Sequence, residues 1–203
     1  MVAVLLTGFE PFGRWTVNSS AEALRALDPA RPDLAIRILP VDHEAAEAAL
    51  DQALDETQAR ILLMTGLADA SAPRLELVAR RPAHREDGPT TRAGVWPWAA
   101  ARDGMRAAEA APRLSRDAGR YVCETVYFAG LGRLGVVSLA AFLHLPPLSE
   151  AWPAARLAAA VAACLDAATA RRGSGQGLPH GFGDDARSRP RATVFRDPAD
   201  SAQ

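Results

Sequence analysis

The chain contains no lysine. All 23 of its basic residues are arginine, set against 24 acidic residues in 203, for a formal net charge of -1 and a pI near 6.4. That balance offers no general attraction to polyanions, and the arginines are scattered instead of forming a stripe, so neither nucleic acid nor an anionic membrane is an expected partner. Cysteine is nearly as scarce. Cys123 and Cys164 alone do not make a disulfide framework in a chain of this length, and they pair only if the fold brings them together. Neither they nor the four histidines fall in C-x-x-C or H-x-x-x-H spacing, which leaves a zinc site without support. There is no G-x-G-x-x-G fingerprint and no phosphate-binding loop of the G-x-x-x-x-G-K type. No apolar run approaches the roughly 20 residues that cross a bilayer. The N-terminus lacks a basic segment ahead of an apolar core, so no signal peptide is expected. A cytoplasmic, reducing setting follows as the expectation, with Cys123 a free thiol.

What is present suits one compact domain, since 49% of the residues are hydrophobic and single cores of ~100–200 residues are usual. Residues 2–7 form a continuous apolar run closed by Gly8, as a strand buried on both faces would, and residues 61–65 repeat the pattern before Gly66. Between them, Asn18 offers a cap to a short helix over residues 21–27, residues 34–41 alternate as a strand, and residues 43–60 carry helical spacing. This strand, helix, strand order predicts an α/β fold with a mostly parallel sheet. Residues 75–79 read as a short strand and residues 135–145 as another, ended by Pro146 and Pro147. Residues 80–104 show no period and read as a long loop. An alanine-rich helix is expected over residues 154–171, with Cys164 on its apolar stripe in a packing role. Residues 1–171 thus read as one domain and residues 172–203 as a low-complexity, disordered tail.

In open parallel sheets, ligands bind where strands end and helices begin. The Phe9–Gly13 loop, the segment after Gly66, the start of a helix at Cys123 and the end of the strand at His144 are all such places. On residue type alone Cys123, flanked by Tyr121, Val122, Val126 and Tyr127, reads as a small buried core residue. In the first turn of a helix, however, a thiol meets unpaired N–H groups and partial positive charge, which stabilise a thiolate. A cysteine nucleophile needs a base, and His144 at a strand end supplies one as readily as it supplies a packed histidine. Glu76, an acid between Leu75 and Leu77, either faces solvent at an edge or orients the imidazole. His43, His84 and His180 have weaker cases, and Ser138 lacks the context of a nucleophile.

Three motifs in order carry a resemblance: Phe9-Glu10-Pro11-Phe12-Gly13 with Val17-Asn18-Ser19-Ser20, Gly119-Arg120-Tyr121-Val122-Cys123, and Phe142-Leu143-His144-Leu145-Pro146-Pro147. They resemble the pyroglutamyl peptidase I (pyrrolidone-carboxylate peptidase) family across residues 2 to about 165. The resemblance implies a three-layer α/β/α sandwich and a cysteine exopeptidase that removes an N-terminal pyroglutamyl residue through a thioester. It implies Cys123 as nucleophile, His144 as base and acid, and Glu76 as the orienting carboxylate. It further implies Phe9 and Phe12 as pocket residues, with Leu67 beside the pocket and Arg85 as an oxyanion-assisting counterpart. No metal or cofactor is implied, and the partner is a peptide with a blocked N-terminus; a single chain and a homo-oligomer are both compatible. The segment 80–88 departs from the family's Asp-Asn-x-Gly pattern. The same residues therefore also admit the same machinery with another N-terminal cap, or a non-catalytic member that binds a peptide end or a partner.

Overall fold

A computed structural model describes residues 4–27 and 33–173. Its spine is four parallel strands, β2 (Leu34–Leu39), β1 (Val4–Phe9), β3 (Ile61–Leu67) and β8 (Leu139–Leu145), side by side in that order. β1 and β3 are buried at every position, which is why they read as unbroken apolar runs. Beyond β8 the sheet changes direction. β4 (Arg74–Glu76) runs antiparallel to β8, and β7 (Arg113–Ser115) closes the edge parallel to β4.

Helices cover both faces. α2 (His43–Thr57) and α4 (Val122–Gly132) pack on one, burying Leu50, Leu54, Val126, Tyr127 and Phe128 against Leu5, Leu62, Met64 and Phe142. α1 (Ser19–Arg25), α3 (Trp98–Ala107) and α5 (Ala154–Gly173) pack on the other, over Val4, Leu6, Leu63, Leu143 and Leu145. The result is a three-layer α/β/α sandwich. Strand alternation sends odd and even residues to opposite layers, so β8 gives Phe142 and His144 to the α4 side and Leu143 and Leu145 to the α5 side. Asn18 caps α1 through its Oδ1 and Asp42 caps α2, satisfying donors that a helix start leaves open.

Several expected boundaries move. The strand read over residues 75–79 divides at Leu77: β4 belongs to the main sheet, whereas β5 (Val78–Arg80) pairs with β6 (Thr91–Ala93) in a separate ribbon. Leu77 is the joint, donating to Ser115 and accepting from Gly94. The segment 80–104 is not a continuous loop, because it holds β6, buried Trp96 and the start of α3. Its elements are short and punctuated by Pro and Gly, so no period shows even though tertiary contacts order them. Three-residue β7 likewise leaves no sequence signal. α5 runs to Gly173, and the rest of the expected tail lies outside the described residues, as does His180. Among the described residues no helix is long and apolar enough to cross a membrane.

Candidate active site

The turn before α4 is built by Gly119, whose φ of +94° is open to glycine at little cost, with its N–H held by Asp117 Oδ1 at 3.2 Å. α4 then starts at Val122 with Tyr121 as N-cap and no side-chain cap bond. In its first turn the Glu124 N–H donates to the Tyr121 carbonyl at 3.0 Å, while a helix start leaves the earlier N–H groups without intrahelical acceptors. With no side-chain cap bond to occupy it, the Cys123 N–H is left to the cleft side, where it meets its own thiol.

Cys123 is aimed at the end of β3. A Cβ built on Gly66 would stand 2.9 Å from Cys123 Sγ and 2.9 Å from the Phe142 ring, so only glycine admits the thiol here. Gly66 is the register partner of His144 in the parallel β3–β8 pair. Partners in register project to one face about 4.8 Å apart, so the thiol occupies the space next to His144 on the α4 side of the sheet. His144 stacks obliquely on Phe142 with ring centroids 4.7 Å apart, and its Nδ1 is 2.8 Å from Glu76 Oε1. Both members of that pair are buried, Glu76 completely. Tyr127 locks the strand that carries Glu76, donating its hydroxyl to the Glu76 carbonyl at 2.6 Å.

Burial dominates the electrostatics. It pushes the Cys123 thiol up to about 12, with the nearby Glu76 and Glu124 carboxylates adding to the rise and its own backbone N–H opposing it. Burial also lowers His144, against the raising effect of its Glu76 hydrogen bond. This direction runs against the helix-stabilised thiolate expected from the sequence. Desolvation outweighs the helix terminus and favours the neutral form of both groups. Cys123 nonetheless keeps part of its surface open.

That opening is a cavity of about 570 Å³. Phe9, Phe12 and Leu67 line it together with Cys123 and His144, giving it apolar walls. A polar brace holds the Phe9 loop: Ser20 Oγ accepts from Phe9 N at 3.0 Å and donates to Asn18 Oδ1 at 2.8 Å, while Asn18 Nδ2 donates to Glu10 O at 2.9 Å. Arg14 and Asp69 form an ion pair of 2.5 Å at the mouth, and Arg74 enters the wall next to Glu76.

Arg85 is the exception among the expected residues. It does not line the cavity but pairs with Glu47 on α2 and lies over the Phe128 ring at 6.0 Å. Its loop is anchored on α2 and α4, and that anchoring draws the guanidinium away from Cys123. The basic residues that do reach the cavity are Arg14 and Arg74. Only Arg74 had a usable sequence signal, since it stands two residues before Glu76 on one strand and hence on one face. A second cleft of about 650 Å³ adjoins the first across Tyr121, with His43 bonded to Thr125 at 2.7 Å and set edge-on to His84. Cys164 sits on the far side of the sheet, fully buried under α3, and both cysteines are free. Among the described residues no three His, Cys, Asp or Glu side chains gather as a metal-ligand set.

Comparison with known proteins sets this arrangement in a lineage. The model of the pyroglutamyl peptidase family matches residues 2–83. A pyrrolidone-carboxylate peptidase of Pseudomonas fluorescens (strain SBW25) is 34% identical over 172 residues, covering 74% of this chain and 81% of the relative. Pyroglutamyl-peptidase 1 of Homo sapiens is 26% identical over 186 residues, covering 81% of this chain and 88% of the relative. The crystal structure of pyrrolidone carboxyl peptidase from Pyrococcus furiosus shares the fold, with a TM-score of 0.75 at 23% identity over 83% of this chain and 99% of that one. By its sequence relatives, and in keeping with its sandwich fold, this chain belongs to the pyroglutamyl peptidase family.

Proposed function

We propose that the protein is a cysteine exopeptidase that cleaves the bond after an N-terminal pyroglutamyl residue, with Cys123, His144 and Glu76 as its triad. The observation that carries the reading is the buried 2.8 Å contact of His144 Nδ1 with Glu76, on a ring whose strand neighbour Gly66 leaves room only for the Cys123 thiol. A carboxylate can only accept, so the Nδ1 proton belongs to His144 and Nε2 is left as the base. As Cys123 Sγ bonds to the scissile carbonyl carbon, His144 Nε2 takes the thiol proton. The carbonyl oxygen gathers negative charge within reach of first-turn N–H groups of α4. Collapse breaks the C–N bond, His144 returns the proton to the departing amine, and a thioester remains. Water gives a proton to His144 and attacks the thioester, releasing pyroglutamate and restoring the thiol.

The pocket chemistry favours the same substrate. A pyroglutamyl ring is an uncharged lactam, suited to apolar walls such as Phe9, Phe12 and Leu67 with a few backbone hydrogen bonds. A chromogenic pyroglutamyl amide tests the reading. Thiol-sensitive cleavage is expected in the wild type, with a loss of at least about 10⁴ in kcat for Cys123→Ser and retention in Cys164→Ser. Cleavage that survives Cys123→Ser, or none by the wild type, would refute it.

A further inference from the structure

Arg74 has no part in the reaction above, yet it borders the reacting groups. It lies directly opposite His144 in the antiparallel β4–β8 register and on the same sheet face as Glu76. Its Nε is 3.4 Å from Glu76 Oε1, close enough for an ion pair. That nitrogen is buried without a hydrogen-bond partner, and no other N–H of the guanidinium makes a hydrogen bond among the described residues. The side chain is 32% exposed and lines the cavity shared by Cys123 and His144. Arginine presents five donors and a permanent charge. Here one carboxylate orients the group and the donors are left for a ligand.

The chemistry fixes which end of a peptide meets those donors. The group that protonates the departing nitrogen must touch it, and that group is His144. Opposed residues of an antiparallel pair have Cβ atoms roughly 4.5–5.5 Å apart, so Arg74 borders the space taken by the residue after the scissile bond. In a dipeptide the α-carboxylate of that residue lies only two bonds beyond the nitrogen. The carboxylates already near this space are engaged: Glu76 is shared with His144, Asp69 is held by Arg14, and Asp42 caps α2 through Ala45 N.

We propose that Arg74 forms a subsite for the free α-carboxylate of the released residue, so that the enzyme favours pyroglutamyl dipeptides over their amides and longer peptides. The proposal rests on His144 being the group that protonates the leaving amine. Its test compares pyroglutamyl-alanine with pyroglutamyl-alaninamide in the wild type, Arg74→Gln and Arg74→Lys. A charge-assisted contact predicts a preference for the acid of about tenfold in kcat/KM, mostly through KM. Arg74→Gln brings the ratio to about one, and Arg74→Lys keeps part of it. Any damage that the substitution does to Glu76 or His144 falls on both peptides and cancels in the ratio. A wild-type ratio at or below one, or a ratio unchanged in Arg74→Gln, overturns the subsite. The same ratio is read as Kd on Cys123→Ala protein. If the wild type turns over neither peptide, tighter binding of the acid that Arg74 alone supports would keep the subsite while the peptidase reading fails, and equal Kd values would remove it.

Discussion

Cys123 and Cys164 are both free thiols held up by burial, yet the proposed function gives them opposite roles. Burial pushes both thiols up to about 12, so burial does not distinguish a nucleophile from a packing residue. Position does. Cys164 is central in α5, wholly enclosed within the apolar cluster on that face, with Trp96 donating to its carbonyl at 3.3 Å. Cys123 is in the first turn of α4, open to a cavity, facing a glycine on one strand and that glycine's histidine partner on the next. A thiol becomes useful where a base can take its proton as attack proceeds, and only one layer of the sandwich provides that.

The contrast can be broken at the base. Glu76→Gln keeps the shape of the pair but lets the amide donate toward Nδ1, which favours the wrong tautomer of His144. A fall of about 10³–10⁴ in kcat is expected, with little change in KM. Steady-state kinetics with the pyroglutamyl amide would show it, and a loss under tenfold would mean that Glu76 does not orient the ring. The approach to Gly66 is the next place to press. Gly66→Ala puts a methyl group where Sγ and the Phe142 ring stand, so the thiol must shift by a substantial fraction of an ångström. About 10²-fold of kcat should be lost through misplacement, with a stability cost of about 1–3 kcal/mol from overpacking. A folded Gly66→Ala enzyme of normal activity would mean the thiol need not lie against that strand.

The smallest effect sharpens the comparison by chemistry alone. Iodoacetamide should alkylate Cys123 and leave Cys164 untouched in the native protein. Because burial pushes the Cys123 thiol up to about 12, its alkylation rate should climb about tenfold per pH unit between pH 7 and 9. A plateau in that range would reveal a preformed thiolate–imidazolium pair. The direction for His144 follows the same reasoning. With its pKa held below the usual 6.5, the base stays neutral at pH 7, and the acid limb of kcat/KM falls below that value.

Much of the fold was legible because burial on both faces of a parallel strand leaves a direct mark. The apolar runs at 2–7, at 61–65 and through His144 stop at glycine or proline, and their described residues lie in the central strands β1, β3 and β8. Asn18 and the first turn containing Cys123 were legible as helix starts. The short elements were not. Three-residue strands such as β6 and β7 have no room for a period, and α3 begins at Trp98, directly after Pro97, where its pattern is hidden.

The sequence by itself determined which residue types stand at strand ends and helix starts, and therefore which residues were available for chemistry: Cys123, His144, Glu76, Phe9 and Phe12. Only the tertiary structure decided which of them meet. Glu76 reaches His144 across 68 positions because β4 reverses direction against β8, and a one-residue slip of that register would turn Glu76 into the other layer. The same long-range packing drew Arg85 onto Glu47 and put Arg74 at the cavity instead. Local sequence encodes which face of an element is buried, whereas the partner of a buried charge is set by register and layer, which no local pattern contains.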